Sequence, residues 1–244
     1  TNKVEVIMIS VCIATYNGEK YIHEQIASIL QQIGNDDEIV VSDDGSTDKT
    51  LDVVRSFDAQ NIHIYINKGD HGYTPNFENA LRNAHGDYIF LSDQDDIWMP
   101  DKVEACMKYL KVNDFVVSDA LIVDGNNKPL FDSFCEQRKS KFGFLNTLIR
   151  FSYLGCCFAF RRKVLSKALP FPKNHILCTH DNWLALVSTA FYKSAFIPLP
   201  LIRYRRYGGN ASSGAKNANK SILFMIHYRL YLLFHLIGRC LVAK

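Results

Sequence analysis

The chain has 244 residues, of which 48% are hydrophobic, 12% aromatic and 22% charged. That balance excludes a disordered chain and supplies enough apolar mass for one sizeable core. A count of 28 basic against 25 acidic residues leaves a net +3, too small a surplus for wrapping nucleic acid, so no nucleic-acid partner is expected.

In chain order, Val4 to Ala14 is an almost unbroken apolar run, the mark of a strand buried on both faces. It continues into Thr15-Tyr16-Asn17 and not into a small-residue cleavage site, so no signal peptide is expected. Ile22, Ile26, Ile29, Leu30 and Ile33 share one face of a helix. Glu38 to Ser42 reads as a second strand, and Ser46 or Thr47 as the cap of a helix carrying Leu51, Val54 and Phe57. Ile62, Ile64 and Ile66 alternate as a third strand. Phe77, Ala80, Leu81 and Ala84 mark a helix, and Asp87 to Ser92 a fourth strand. This β-α-β-α-β-α-β rhythm predicts a parallel, doubly wound α/β sheet.

After Pro100 the rhythm loosens. Val103, Cys106, Met107 and Leu110 give a helix, Phe115 to Val117 a strand, and Asp124-Gly125-Asn126-Asn127 a hairpin turn. A helix from Phe144 to Arg150, a strand from Gly155 to Phe160 and a helix from His180 to Phe191 follow. No linker or internal repeat interrupts the chain. Residues 1–220 therefore read as one domain with halves 1–118 and 119–220, and residues 221–244 as a tail. The seven cysteines include no CxxC pair, so neither a zinc site nor a disulfide framework is expected and a reducing, cytoplasmic setting is.

The tail from Ser221 to Val242 is nearly long enough to span a bilayer, but His227, Arg229, His235 and Arg239 are costly inside one. Lys220, His227, His235 and Arg239 fall on one side of a helix, with Arg229 opposite. That pattern fits an amphipathic helix lying at a membrane surface. A helix packed on the domain, or on a second subunit in a homodimer, is the alternative.

Ligands of an open parallel sheet bind beyond the carboxyl ends of its strands. Three of the first four strands end there in polar clusters: Thr15-Tyr16-Asn17, Asp43-Asp44 and Asp93-Gln94-Asp95-Asp96. Carboxylates gathered along one edge repel one another unless a cation sits among them. Asp93, Asp95 and Asp96 make a hard oxygen site for Mg²⁺ or Mn²⁺, whose shell substrate phosphates would complete. The phosphate-binding loops GxGxxG and GxxxxGK[ST] are absent, so phosphate would be held chiefly through the metal.

The segments Val11 to Gly18, Val40 to Asp48, Leu91 to Trp98, His180 to Trp183 and Tyr204 to Asn210 together resemble family 2 glycosyltransferases. The Ser-Asp-Gln-Asp-Asp-Ile-Trp form is similar to the branch that builds bacterial surface polysaccharides. The resemblance covers residues 4–212. It implies a GT-A-like fold: a Rossmann-type, mostly parallel sheet flanked by helices, a less regular acceptor-binding second half and the C-terminal amphipathic helix. It also implies an inverting, metal-dependent enzyme moving a sugar from a nucleotide donor, UDP-hexose or dTDP-rhamnose, to a polyprenyl-diphosphate-linked saccharide. Such an enzyme works on the inner face of the cell membrane, reached through residues 221–242.

By the same resemblance, Thr15, Tyr16 and Asn17 wrap the nucleotide, with the aromatic ring on the base, and Asp44 accepts from a uracil or thymine imide. Asp93 and Asp95 match the DxD motif, Asp95 as the more direct ligand of Mn²⁺ or Mg²⁺. Asp181 matches the general base, with His180 as the alternative, and Trp183 offers an apolar face to a sugar. Tyr207 stands where many relatives carry a His, leaving Arg205 and Arg206 to hold diphosphate oxygens. The stretch from Gly208 to Gly214 suits a loop closing over donor. A nucleotidyltransferase and a receiver-like interaction domain are the competing readings. The first lacks its Gly-rich basic loop, and the second is far shorter than this chain.

Overall fold

The computed structural model describes residues 7–208 and 221–241. Four parallel strands come first: β1 (Ile9–Thr15), β2 (Glu38–Asp43), β3 (Ile62–Ile66) and β4 (Tyr88–Asp93), with β1 between β2 and β4. Helices α1 (Ile22–Leu30), α2 (Thr50–Arg55) and α3 (Tyr73–Asn83) make the crossovers. Val11, Cys12, Ile13, Val40, Val41, Phe90 and Leu91 are wholly buried, as continuous apolar runs in a two-sided sheet require. The expected start of β1 at Val4 lies outside the described residues.

Beyond β4 the sheet becomes mixed. In chain order follow β5 (Ile97–Trp98), α4 (Lys102–Leu110), β6 (Phe115–Asp124), β7 (Pro129–Phe131), α5 (Phe134–Arg138) and α6 (Phe144–Ile149). Next come β8 (Phe158–Arg161), α7 (Leu165–Ala168), α8 (His180–Phe191), β9 (Ser194–Arg206) and α9 (Ile222–Cys240). The strand order is β3-β2-β1-β4-β8-β6-β9-β5, with β7 on β6. One sheet thus runs through both halves of the chain, and the boundary at 118/119 falls inside β6.

Three local expectations are corrected. Gly155–Cys157 is a 3-10 turn that leads into β8. Neither Ser46 nor Thr47 caps α2: its N-cap is Lys49, Asp48 Oδ1 accepts from the Thr50 N–H at 2.9 Å, and Ser46 is turned to Asp43. The 13-residue β9 escapes detection because Pro198 and Pro200 punctuate it. Those prolines cannot donate to a ladder, and the β6–β9 register shifts where Asp119 meets Pro200.

The tail helix α9 forms and packs one side on the domain, the alternative to lying wholly at a membrane surface. Leu232 and Leu236 are buried against the domain. Two members of the basic stripe turn inward: Arg239 donates to the carbonyls of Leu169 and Pro170 and lies 5.6 Å above Trp183, and His235 sits edge-on to the same ring. His227 stays exposed. Opposite to the stripe, Arg229 donates to the Ile149 carbonyl at 2.7 Å. Free carbonyls at the ends of α6 and α7 attract these cations. The outward face carries exposed Ile222, Leu223, Ile226, Leu230, Phe234 and Ile237. By length and mean hydropathy, 1.2, α9 could cross a membrane. Lys220 and residues 209–214 of the expected closing loop lie outside the described residues.

Candidate active site

The carboxyl ends of β1 and β2 are locked together by side chains. The Thr15 hydroxyl donates to Asp43 Oδ2 at 2.9 Å, and Asp43 Oδ1 accepts from the N–H groups of Gly45 and Ser46. Gly45 holds φ +86°, a left-handed conformation that favours glycine. Asn17, also left-handed at φ 47°, donates its N–H to Ser46 Oγ and accepts from the Thr47 N–H at 2.8 Å. Thr15 is buried, so its side chain is spent on the fold and does not reach a nucleotide. Tyr16 is 56% exposed, free to stack on a base. Asp44 lies beside them, with Oδ1 accepting from Asn67 Nδ2 at 2.8 Å and contacting His71 Nδ1, and Oδ2 accepting from the Gly72 N–H. Its oxygens hold the loop from Asn67 to Gly72 and keep room for one further donor.

Sequence reasoning passed over Gln94, which joins this end to the acidic bend. Its Oε1 accepts from the Tyr16 N–H at 2.9 Å and its Nε2 donates to the Tyr16 carbonyl. A Cβ on Gly18 would come within 2.3 Å of Gln94 Oε1, so Gly18 keeps the bridge open. Spacing alone gives no signal for it.

At the bend itself, Asp93, Asp96 and Cys156 bring one ligand atom each within 4.8 Å of one another. Asp96 Oδ1 accepts from the Arg205 N–H at 3.0 Å, while its Oδ2 is buried without a hydrogen bond among the described residues. Burial, then the charges of Asp95 and Asp181, push Asp93 up to about 7. Burial, then the charges of Asp95 and Asp93, push Asp96 well above the usual range. Buried carboxylates that repel one another and leave an oxygen unpaired fit a divalent cation. Asp95 Oδ2 accepts from the Tyr207 hydroxyl at 2.8 Å. Tyr207 therefore reaches the acidic bend as a hydrogen-bond donor.

Arg205 does not face a diphosphate through the atoms described. It is buried, bonded to Glu24 at 2.6 Å and stacked 4.2 Å from the Tyr21 ring. A buried guanidinium needs such partners. Asp181 stands in the first turn of α8, its Oδ1 accepting from Thr179 and from the Asn182 N–H at 2.8 Å. A Cβ on Gly155, next to Cys156 of the bend, would come within 3.1 Å of the Asp181 Cβ, so the base candidate borders the acidic bend, and its charge acts on both Asp93 and Tyr73. His180 is buried and stacked 4.1 Å from Phe77, and neither ring nitrogen has a partner among the described residues. Burial holds its pKa below the usual value. Trp183 is a core residue: its indole is fully buried and donates to the Ala168 carbonyl at 2.8 Å, so it presents no face to a sugar. Beside Asp181 lies a cavity of about 590 Å³ whose walls include His71, Tyr73, Thr74, Lys173, His175 and Ile176.

Comparison with known proteins places the chain in a family. The family model for glycosyl transferase family 2 matches residues 10–169. The dTDP-rhamnosyl transferase RfbG of Shigella flexneri is 30% identical over 214 residues, which cover 81% of this chain and 72% of RfbG. The Escherichia coli UDP-Glc:alpha-D-GlcNAc-diphosphoundecaprenol beta-1,3-glucosyltransferase WfgD is 28% identical over 78% of this chain and 76% of its own length. Among solved structures, S. aureus TarS 1-349 with UDP-GlcNAc shares the fold at a TM-score of 0.69 and 19% identity, covering 95% of this chain and 73% of TarS. A Pyrobaculum calidifontis mannosyltransferase with GDP-Man and Mn²⁺ superposes at 0.61 and 18% identity, over 95% of this chain and 72% of that one. These findings set aside the nucleotidyltransferase and receiver readings: the chain belongs to glycosyl transferase family 2 and is a glycosyltransferase.

Proposed function

We propose that this glycosyltransferase moves a sugar, with inversion, from a nucleoside diphosphate donor to a lipid-linked saccharide during bacterial surface-polysaccharide synthesis. UDP-hexose is the first donor to test, because WfgD is named for UDP-Glc. The name of RfbG makes dTDP-rhamnose the second. The reading is carried by the meeting of two chemistries at one sheet edge: Asp93, Asp95 and Asp96 on one side, Asp181 on the other.

Tyr16 stacks on the base, Asn17 shapes the loop around it, and Asp44 accepts from the imide. Asp93 and Asp95 would hold a divalent ion, Mn²⁺ or Mg²⁺, whose Lewis acidity would stabilise the leaving nucleoside diphosphate. Asp181 takes the proton of the acceptor hydroxyl. Thr179 and the Asn182 N–H fix its Oδ1, and Oδ2 accepts no hydrogen bond among the described residues, which leaves it to the acceptor. His180 lacks the exposure for that task. The adjoining cavity, with His71, Lys173 and His175 in its wall, suits an acceptor that carries phosphate.

The bare apolar face of α9, continued by exposed Leu145 and Ile149 on α6, supports contact with the inner membrane surface, where a lipid-linked acceptor resides. Leu230→Asp with Phe234→Asp changes that face and leaves the packed one intact. Loss of co-sedimentation with anionic liposomes, with transfer to a short soluble acceptor retained, is expected. A fall in oligomer size in the same variant would instead assign the face to a homodimer. The function itself is tested by thermal shift with UDP-, dTDP- and GDP-sugars plus Mn²⁺, followed by sugar release with and without acceptor. Binders raise the melting temperature by mass action. A chain that neither binds nor cleaves any of them sinks the proposal.

A further inference from the structure

Cys156 has no place in the transfer chemistry, yet its side chain lies at the acidic bend. The thiol is fully buried, and its sulfur falls within 4.8 Å of a carboxylate oxygen of Asp93 and one of Asp96. Asp96 is itself 1% exposed, one of its oxygens belongs to this cluster, and its Oδ2 is buried without a hydrogen bond among the described residues. Nearby positive charge is committed elsewhere. Lys102 is wholly buried, but its ammonium donates to the Cys156 carbonyl at 3.1 Å and lies 5.1 Å from the Trp98 ring. No ion pair among the described residues joins it to Asp93 or Asp96. The bend thus holds two carboxylates and one sulfur converging on a point, with an acceptor oxygen left over.

Oxygen ligands alone suit Mg²⁺ and Mn²⁺, whereas a thiolate adds preference for softer ions such as Zn²⁺, Co²⁺ and Cd²⁺. We propose that Asp93, Asp96 and Cys156 form a thiophilic metal subsite directly behind the outer carboxylates of the bend. Binding converts the Cys156 thiol to a metal-bound thiolate and releases its proton to solvent, so affinity rises with pH. The backbone on either side of the sulfur is fixed, by Lys102 on the Cys156 carbonyl and by the Gly155–Cys157 turn. A preset ligand of this kind loses little freedom on binding. Asp93 belongs both to this subsite and to the ion of the proposed transfer reaction, so a soft ion in the subsite withdraws Asp93 from the donor. That last consequence alone rests on the proposed function.

The test is a titration of the purified chain with Co²⁺ in the absence of donor, followed by ultraviolet absorption. A thiolate-to-cobalt charge-transfer band is expected in the unaltered protein. It should vanish in Cys156→Ser, a near-isosteric change, while that variant keeps its melting temperature within a few degrees. Asp96→Asn should keep the band but weaken Co²⁺ binding by about tenfold or more, since even outer-sphere partners of a metal are worth that much. No band in the unaltered protein overturns the proposal, and so does a band that survives Cys156→Ser, which would place the ligand at another cysteine. If Cys156→Ser does not fold, the Asp96→Asn affinity decides, with an unchanged value overturning the subsite. Mn²⁺-dependent donor binding, measured separately, reports on the transfer reading whichever way the cobalt result falls.

Discussion

Two pairs of carboxylates stand at neighbouring strand ends and are treated in opposite ways. Asp43, at the end of β2, is saturated and its neighbour Asp44 lacks only one donor: three backbone N–H groups, two hydroxyls, an amide and a histidine surround their four oxygens. Asp93 and Asp96, at the end of β4, are pressed together with a buried oxygen unpaired and both raised by burial and by like charge. Hydrogen bonds to the charged form stabilise a carboxylate as an ion, whereas crowding with other carboxylates destabilises it. The first pair is therefore completed by the protein's own donors, save for the one acceptor position left on Asp44. The second is incomplete without a cation.

The largest effect that could break this contrast is Asp95→Ala. Transfer should fall by ~10³-fold or more, because a metal's charge stabilisation is worth several kcal/mol, and Mn²⁺-dependent donor binding should disappear in calorimetry. Full metal-dependent affinity in this variant would mean that the bend does not await an ion. Asp181→Asn comes next, with a loss of roughly 10²–10⁴-fold in kcat, the usual worth of a general base. Donor binding should survive, since the amide keeps the side chain's size. His180→Asn is the control: its effect on kcat should be far smaller, and a larger one would move the base to His180. The third in size concerns the saturated Asp43. Asp43→Ala strips partners from Thr15, Gly45 and Ser46 and should cost about 2 kcal/mol of stability, read as a lower denaturation midpoint. If Asp43→Ala left stability unchanged and abolished metal binding, the roles of the two pairs would be interchanged.

The parallel half of the fold was legible because each of its strands is a pure apolar run or a clean alternation. Ile62, Ile64 and Ile66, or the residues from Tyr88 to Leu91, admit few other readings. The second half was less so. In β9 the prolines hide a strand that survives only by shifting register against β6. For α9, periodicity put Arg229 opposite His227 and Arg239, whereas Arg229 and Arg239 both reach the domain and His227 stays exposed, so the pattern could not say which side chains the domain would take. That choice was made by the carbonyls of Ile149, Leu169 and Pro170, which lie far away in sequence. At the site, Asp44 and Asp93 stand at the carboxyl ends of β2 and β4 and Asp181 in the first turn of α8, positions that local motif gives. Residues that act through distant partners take positions it does not give. Trp183 went to the core, Arg205 to Glu24, and Gln94 and Cys156 gained importance only through neighbours that folding brought near.

The smallest effect is the most direct measure of the contrast, because it needs no substrate. In the folded, ion-free chain Asp93 is pushed up to about 7, against 3.8 for an unperturbed carboxyl. Between those two values the unfolded chain has released a proton that the folded chain still holds. Stability carried by this group is therefore lost as pH rises from about 4 to about 7. Asp93→Asn cannot ionise and escapes that loss. The melting temperature of Asp93→Asn minus that of the unaltered chain should accordingly grow across this window by a few degrees: carboxylates remote from the bend cancel in the difference, and Asp96, relieved of the Asp93 charge, shifts it in the same direction. Adding a divalent ion to the unaltered chain should close the gap from the neutral side, because the ion favours ionised Asp93. A difference that stays flat with pH would show that protein groups already neutralise the bend, and the two carboxylate pairs would then be alike.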